Sequence, residues 1–281
     1  MNSTAQAQQI LHGAIDMHLH SAPDIIQRKY SDIELAEHGR NAGLAGMVIK
    51  NHHVETASRA AIVNQVVDGF RLYGGVALNF SVGGLNPHAA EICLRLGGRV
   101  VWMPTVDAAN HYQRLGQQGG ISIFSDGRKL KPEVFDILDL IKSHNAILAT
   151  GHLRLDETMA LVEAATKSNL KKIVVTHPEF WLTAVPIDAQ HALSQKGVFF
   201  ERCYYAATLK TDKATPFETT MGWIKRIGHK NTILASDLGQ YDNPSPVEGL
   251  SIMLTALLQY GFNVEQIEVM IKRNPSDLLS L

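Results

Sequence analysis

Asp16-Met17-His18-Leu19-His20 follows the apolar Ala14-Ile15 and runs into Ser21-Ala22-Pro23, so it reads as a short strand entering a loop. Residues two apart on a strand point to one side. His18 and His20 are therefore expected on one face, with Met17 and Leu19 turned to the packed layer. Two imidazoles held side by side on a rigid strand are half of a metal site. Taken alone, such a pair reads more readily as ordinary core or surface histidines. Its weight comes from what ends the later strands.

Apolar runs recur after 13–20 at 46–50, 73–79, 99–105, 146–150, 172–176, 198–203 and 232–236. Helix starts separate them. Ser31-Asp32-Ile33-Glu34 has capping-box spacing, Thr215-Pro216-Phe217-Glu218 is a second such box with proline inside it, and Ser245-Pro246-Val247-Glu248 opens another helix. Asn86-Pro87, Pro132 and Pro186 open others. His20 to Lys50, Lys50 to Asn79 and His152 to His177 span 30, 29 and 25 positions, which suits βα units. Eight strands, each followed by a helix, predict an α/β fold of the closed (β/α)8 TIM-barrel type. An open doubly wound sheet is the alternative, but no Gly-x-Gly-x-x-Gly follows the first strand. The 281 residues suit one barrel, which typically takes about 250. The expected single domain is 13–281, behind a loosely docked leader at 1–12. The beat breaks between 106 and 131, where Gly119-Gly120, Ile121-Ser122-Ile123-Phe124 and Asp126-Gly127 predict an insertion with a small hairpin after the fourth strand.

Composition narrows the function. The 26 basic and 27 acidic residues give a net charge of −1, which argues for neither nucleic acid nor a membrane surface as partner. There is no long apolar run, and the polar start lacks a signal pattern. Cys93 and Cys203 sit in apolar contexts outside any Cys-x-x-Cys pair and read as reduced thiols of a cytoplasmic protein. The 13 histidines are the one oddity. A small-molecule substrate is the expected partner, and exposed barrel helices leave a homo-oligomer open.

Polar residues gather at the strand C-termini. His18 and His20 end the first strand, Lys50 and His52 the second; Asn79, Thr105 and Asp107 follow the third and fourth. His152, His177, Glu201 and Asp237 end the last four. A barrel brings these ends to one mouth, where catalytic groups sit. The mix of imidazole and carboxylate suits zinc, with manganese, iron or nickel as alternatives, in one or two ions. Such an ion makes water a nucleophile near neutral pH, and a carboxylate beside it can move the proton. Asp237 has the type and place for that role, and Asp16 for orienting a ligand from behind.

With these pieces the chain resembles the amidohydrolase superfamily of metal-dependent hydrolases. The likeness rests on Asp16-Met17-His18-Leu19-His20, Gly151-His152, Thr176-His177, Ala235-Ser236-Asp237 and the closing Asn274-Pro275-Ser276-Asp277-Leu278-Leu279. It is nearest to a poorly characterised branch carrying Val48-Ile49-Lys50-Asn51-His52 and Val101-Trp102-Met103-Pro104-Thr105. The resemblance implies that His18, His20 and Asp237 bind one metal, and that His152 and His177 bind a second or hold substrate and water. Many members bridge two metals with a carboxylated lysine or a glutamate on the fourth strand. Here that strand ends Met103-Pro104-Thr105, which leaves Lys50 as the substitute, either carboxylated or as an ammonium for an anionic substrate. Glu201 is a second candidate for that bridge.

The implied reaction is cleavage of an amide, cyclic amide or ester bond of a small molecule, with Asp237 moving the proton and His177 or Lys50 steadying the oxyanion. A decarboxylase or phosphoesterase on the same barrel would use similar ligands, and a non-catalytic metal- or ligand-binding protein is the reading from another class. His52, Asp107 and Glu201 are the expected substrate contacts. Asp107 and His111 equally fit a solvated loop, and Glu201 equally fits a buried pair with Arg202 or Lys50. His12, His38, His144, His191 and His229 read as surface residues, and Trp102 as barrel packing.

Overall fold

The computed structural model describes residues 2–126 and 128–281. Nine strands follow in chain order: β1 Ile15–His20, β2 Gly46–Lys50, β3 Arg71–Tyr73, β4 Gly75–Ala77, β5 Val100–Trp102, β6 Ile147–Ala149, β7 Ile173–Val175, β8 Phe199–Cys203 and β9 Thr232–Ala235. Every paired neighbour is parallel, in the ladders β1-β2-β3 and β4 through β9. β3 and β4 are the two halves of the third expected strand. They part at Gly74, where a Cβ would lie 2.3 Å from the carbonyl carbon of Thr56. The helix Ala57–Val66 begins there, and Thr56 Oγ1 ties it to both sides by donating to Ile49 O and accepting from Gly75 N–H.

β9 and β1 form no ladder along their length; they are drawn together at the C-terminal end. Asp237 N–H donates to His18 O and His20 N–H to Leu238 O, both at 2.7 Å. The Asp16 carboxylate accepts Ser236 N–H at 2.9 Å. The (β/α)8 arrangement is thus stitched at its mouth by the residues that flank the candidate ligands.

β1 does not alternate as expected. Asp16 pairs with Met47 but Leu19 pairs with Ile49, so β1 carries one extra residue across that interval. Such a bulge switches the side on which later side chains emerge. Ile15 and Met17 pack in the barrel interior with Val48 and Trp102, while Leu19 packs in the outer layer with Met47 and Ile49. Met17 and Leu19 therefore do not share a face, correcting the expectation. His18 and His20 both reach the buried mouth because the bulge lies before Leu19.

The interior is filled by Ile15, Val48, Val100, Trp102, Ile147 and Val174, and closed below by Leu278 and Leu279 of the helix Asn274–Leu279. Asn274 Nδ2 fastens that helix to β9 by donating to Thr232 O at 2.6 Å. Residues expected as a loose leader form the helix Ser3–Leu11, whose Ala7, Ile10 and Leu11 are buried in the same cluster as Leu250, Met253 and Leu254. Polar outer residues hid a narrow apolar stripe. The Ser31 and Ser245 capping boxes form. Thr215 does not cap: its hydroxyl donates to Glu179 O, and the helix Phe217–Ile227 starts without a side-chain cap.

The insertion folds as a short helix, Ala109–Arg114, followed by single bridges Ala108–Ile121 and Phe124–Leu130. The expected hairpin is reduced to the second bridge, and Gly127 lies outside the described residues. No helix among the described residues is long and apolar enough to cross a membrane.

Candidate metal centre

The strand ends deliver their side chains to one buried group. His18 Nε2 and His20 Nε2 lie 3.2 and 3.1 Å from the same atom, Asp237 Oδ1. Asp237, two residues past the end of β9, has a left-handed conformation, φ 52°, which turns its carboxylate toward β1. His177 after β7 has φ 24°. Donor atoms about 2.0–2.1 Å from one ion sit roughly 3.0–3.4 Å from one another, so the observed separations fit a shared cation. Two imidazole nitrogens and a carboxylate oxygen also fit the chemistry of such an ion. Burial holds His18 and His177 down at about 3, and pushes His20, His52 and His152 well below the usual histidine range. Neutral imidazole is the ligating form.

The other nitrogen of His18 is engaged from behind. Nδ1 lies 2.9 Å from Glu201 Oε2, and Cys203 Sγ lies 3.7 Å from the same oxygen. Burial raises the Glu201 carboxyl to about 8, against the pull of Lys50. Glu201 does not line the mouth cavity and does not pair with Arg202, whose guanidinium goes to Glu179 and Gln190 in the outer layer. Its expected contact with substrate is thus replaced by a contact with His18. Asp16 accepts the backbone N–H of His18 at 3.3 Å from behind and also holds the seam through Ser236; burial raises it to about 7.

Lys50, almost fully buried, places Nζ 3.1 Å from His18 Nε2 and 5.4 Å from the centre of the Trp102 ring. Burial lowers its pKa, opposed by Asp237 and Glu201. His152 and His177 sit beside the His18 group rather than in it, with ring centres 4.9 Å apart and His177 6.0 Å from His18. His177 Nδ1 has no partner among the described residues. His52 is held by Thr105 Oγ1 at 2.9 Å, and Thr105 in turn by Asn79. Asp107 is absent from the cavity wall. Its oxygens accept Phe80 N–H and Tyr112 O–H, so it braces loops instead of meeting substrate.

A cavity of about 440 Å³ opens above these groups. Sequence reasoning missed much of its wall: Arg28, Phe180, Trp181 and Lys213 come from loops after β1, β7 and β8, and Tyr205 from the short helix Tyr205–Thr208. It also left His111 open, although His111 Nδ1 lies 2.7 Å from His152 Nδ1. The repeat of strand ends could find neither, because loop residues carry no period.

The parallel barrel gathers six histidines, a lysine and an aspartate at its C-terminal mouth. The chain belongs to the family of unknown function DUF6282, whose model matches residues 13–201. No curated protein matches it in sequence. An amidohydrolase from Pseudomonas aeruginosa shares the fold, at 13% identity over 99% of this chain and 98% of that one, with a TM-score of 0.66. The probable dipeptidase PvdM from the same organism does so at 9% identity, 99% and 97% coverage and a TM-score of 0.68. The organophosphorus hydrolase from Deinococcus radiodurans is similar at 13% identity, 97% and 93% coverage and a TM-score of 0.61.

Proposed function

We propose that the chain is a metal-dependent hydrolase that cleaves an amide, cyclic amide or ester bond of a small molecule. The observation that carries the reading is the convergence of His18 Nε2, His20 Nε2 and Asp237 Oδ1 beneath the mouth cavity. The names of proteins with the same fold (amidohydrolase, probable dipeptidase, organophosphorus hydrolase) support the class. Zinc is the proposed ion, on its preference for imidazole and carboxylate donors. When bound, it supplies Lewis acidity and makes water reactive near neutral pH.

The side chains divide the remaining work. Asp237 takes a proton from the attacking water and returns it to the leaving group. His177, through its ring N–H, steadies the negative charge that grows on the substrate oxygen. His52, fixed through Nδ1, offers Nε2 to the substrate. Lys50 joins the ligand group as a neutral or carboxylated amine, since an ammonium at that distance from His18 would repel a cation. The proposed setting is cytoplasmic, consistent with two buried free cysteines.

The test is metal analysis of protein purified without chelator, followed by turnover on panels of amides, cyclic amides and esters. Asp237→Asn is expected to lower kcat by roughly 10²–10⁴-fold. Failure of the wild type to hold metal under any loading condition, together with absent turnover, overturns the reading.

A further inference from the structure

Arg28 lies in the loop after β1 and is fixed there by Lys29 N–H donating to Gly239 O at 3.0 Å and by a bridge to Gln240. Its side chain is only 4% exposed, yet it lines the mouth cavity. Nε is committed to Asp24 Oδ2 at 2.8 Å. Nη1 and Nη2 make no hydrogen bond among the described residues. A buried guanidinium with two free donor nitrogens presents a fork that matches a carboxylate in bidentate fashion.

The same cavity has an apolar wall that belongs to none of the main cores. Phe180, Leu182 and Ala206 form a separate cluster with Trp181, Tyr205 and Leu209 against it. The Phe180 ring centre lies 6.1 Å from that of Trp181 and 5.8 Å from that of Tyr205. Lys213 Nζ sits 3.9 Å over Trp181 and adds a second cation at the rim. Asp237 is the one acidic residue of the described wall, and it is committed to the ligand group.

We propose that the cavity is built for a small carboxylate-bearing molecule with an aromatic or apolar body. Arg28 holds the carboxylate, and Phe180, Trp181 and Tyr205 receive the body. Asp24 balances one of the two cations, Arg28 and Lys213, so a single negative charge completes the array and a dianionic phosphate overfills it. The proposal rests on reading the cavity as the substrate pocket of a hydrolase, and it names the substrate class of that pocket.

Binding to the full-length, zinc-loaded protein tests it by calorimetric titration with hippurate, its uncharged analogue hippuramide, and phenyl phosphate. Hippurate is expected to bind at least tenfold tighter than either of the others. Arg28→Gln is expected to bring hippurate down to the hippuramide level, with Arg28→Lys, which keeps the charge but not the fork, in between. Equal binding of hippurate and hippuramide overturns the proposal. So does tighter binding of phenyl phosphate, unchanged hippurate affinity in folded Arg28→Gln, or no hippurate binding at millimolar concentration. If Arg28→Gln does not fold, the wild-type comparison still decides. Because binding is read without turnover, a hippurate preference in a protein that hydrolyses nothing sinks the hydrolase reading alone. An active enzyme indifferent to the carboxylate sinks this proposal alone.

Discussion

His18 Nδ1 and Glu201 Oε2 lie 2.9 Å apart at two buried positions, one on β1 and one on β8. Burial raises Glu201 to about 8 in the chain without an ion; once it gives up its proton, it accepts Nδ1–H and leaves the Nε2 lone pair facing Asp237. A carboxylate behind a ligating imidazole fixes its tautomer and raises its basicity. Glu201→Gln is therefore expected to fold but to bind zinc about 10–100-fold more weakly, as measured by competition with a chelator of known affinity. Unchanged affinity would reduce Glu201 to packing.

Lys50 occupies the other side of the same imidazole. A cation entering there requires Lys50 to give up its ammonium proton. Zinc affinity is expected to rise with pH more steeply in the wild type than in Lys50→Met, by the equivalent of one proton. Chelator competition between pH 6 and 8.5 reads the two slopes, and parallel slopes would exclude Lys50 from the linkage.

Ile10 is 2% exposed in the N-terminal helix that covers Leu250 and Met253. Ile10→Ala is expected to destabilise the protein by about 2–5 kcal/mol. Denaturant unfolding measures it. A change near zero would restore the loosely docked leader.

His18 and His177 are held at about 3 in the folded chain, against 6.5 when exposed. Below 6.5 the unfolded chain binds protons that the folded chain refuses, so stability is full above that pH and falls as pH drops toward 3. Melting temperatures of metal-free protein are expected to decline steadily from pH 7 to 4. In a variant with both residues replaced by Asn the decline should be shallower; an equal decline would assign the acid sensitivity elsewhere.

The strand beat was legible because parallel strands buried on both faces read as apolar runs, and because polar residues ending each run are what a barrel mouth requires. His18, His20 and Asp237 could be found that way. The route by which β1 presents its histidines could not, since period-two reasoning assumes a regular strand and the bulge at Met17-His18 leaves no residue signature. Sequence points Glu201 at the substrate because position on a strand end does not say whether a side chain faces the cavity or a neighbouring ligand. Arg28, Phe180 and Trp181 escaped for another reason: their place depends on long-range loop contacts, such as Lys29 to Gly239.

The stitch between the first and last strands has a consequence for how the molecule matures and fails. The three atoms that would hold an ion come from either side of that joint, so nascent or half-folded chains own no such group. Capture of an ion there would have to wait until the ring has shut. Loosening of the joint would release it while the surrounding helices still stand, making loss of the ion an early sign of damage.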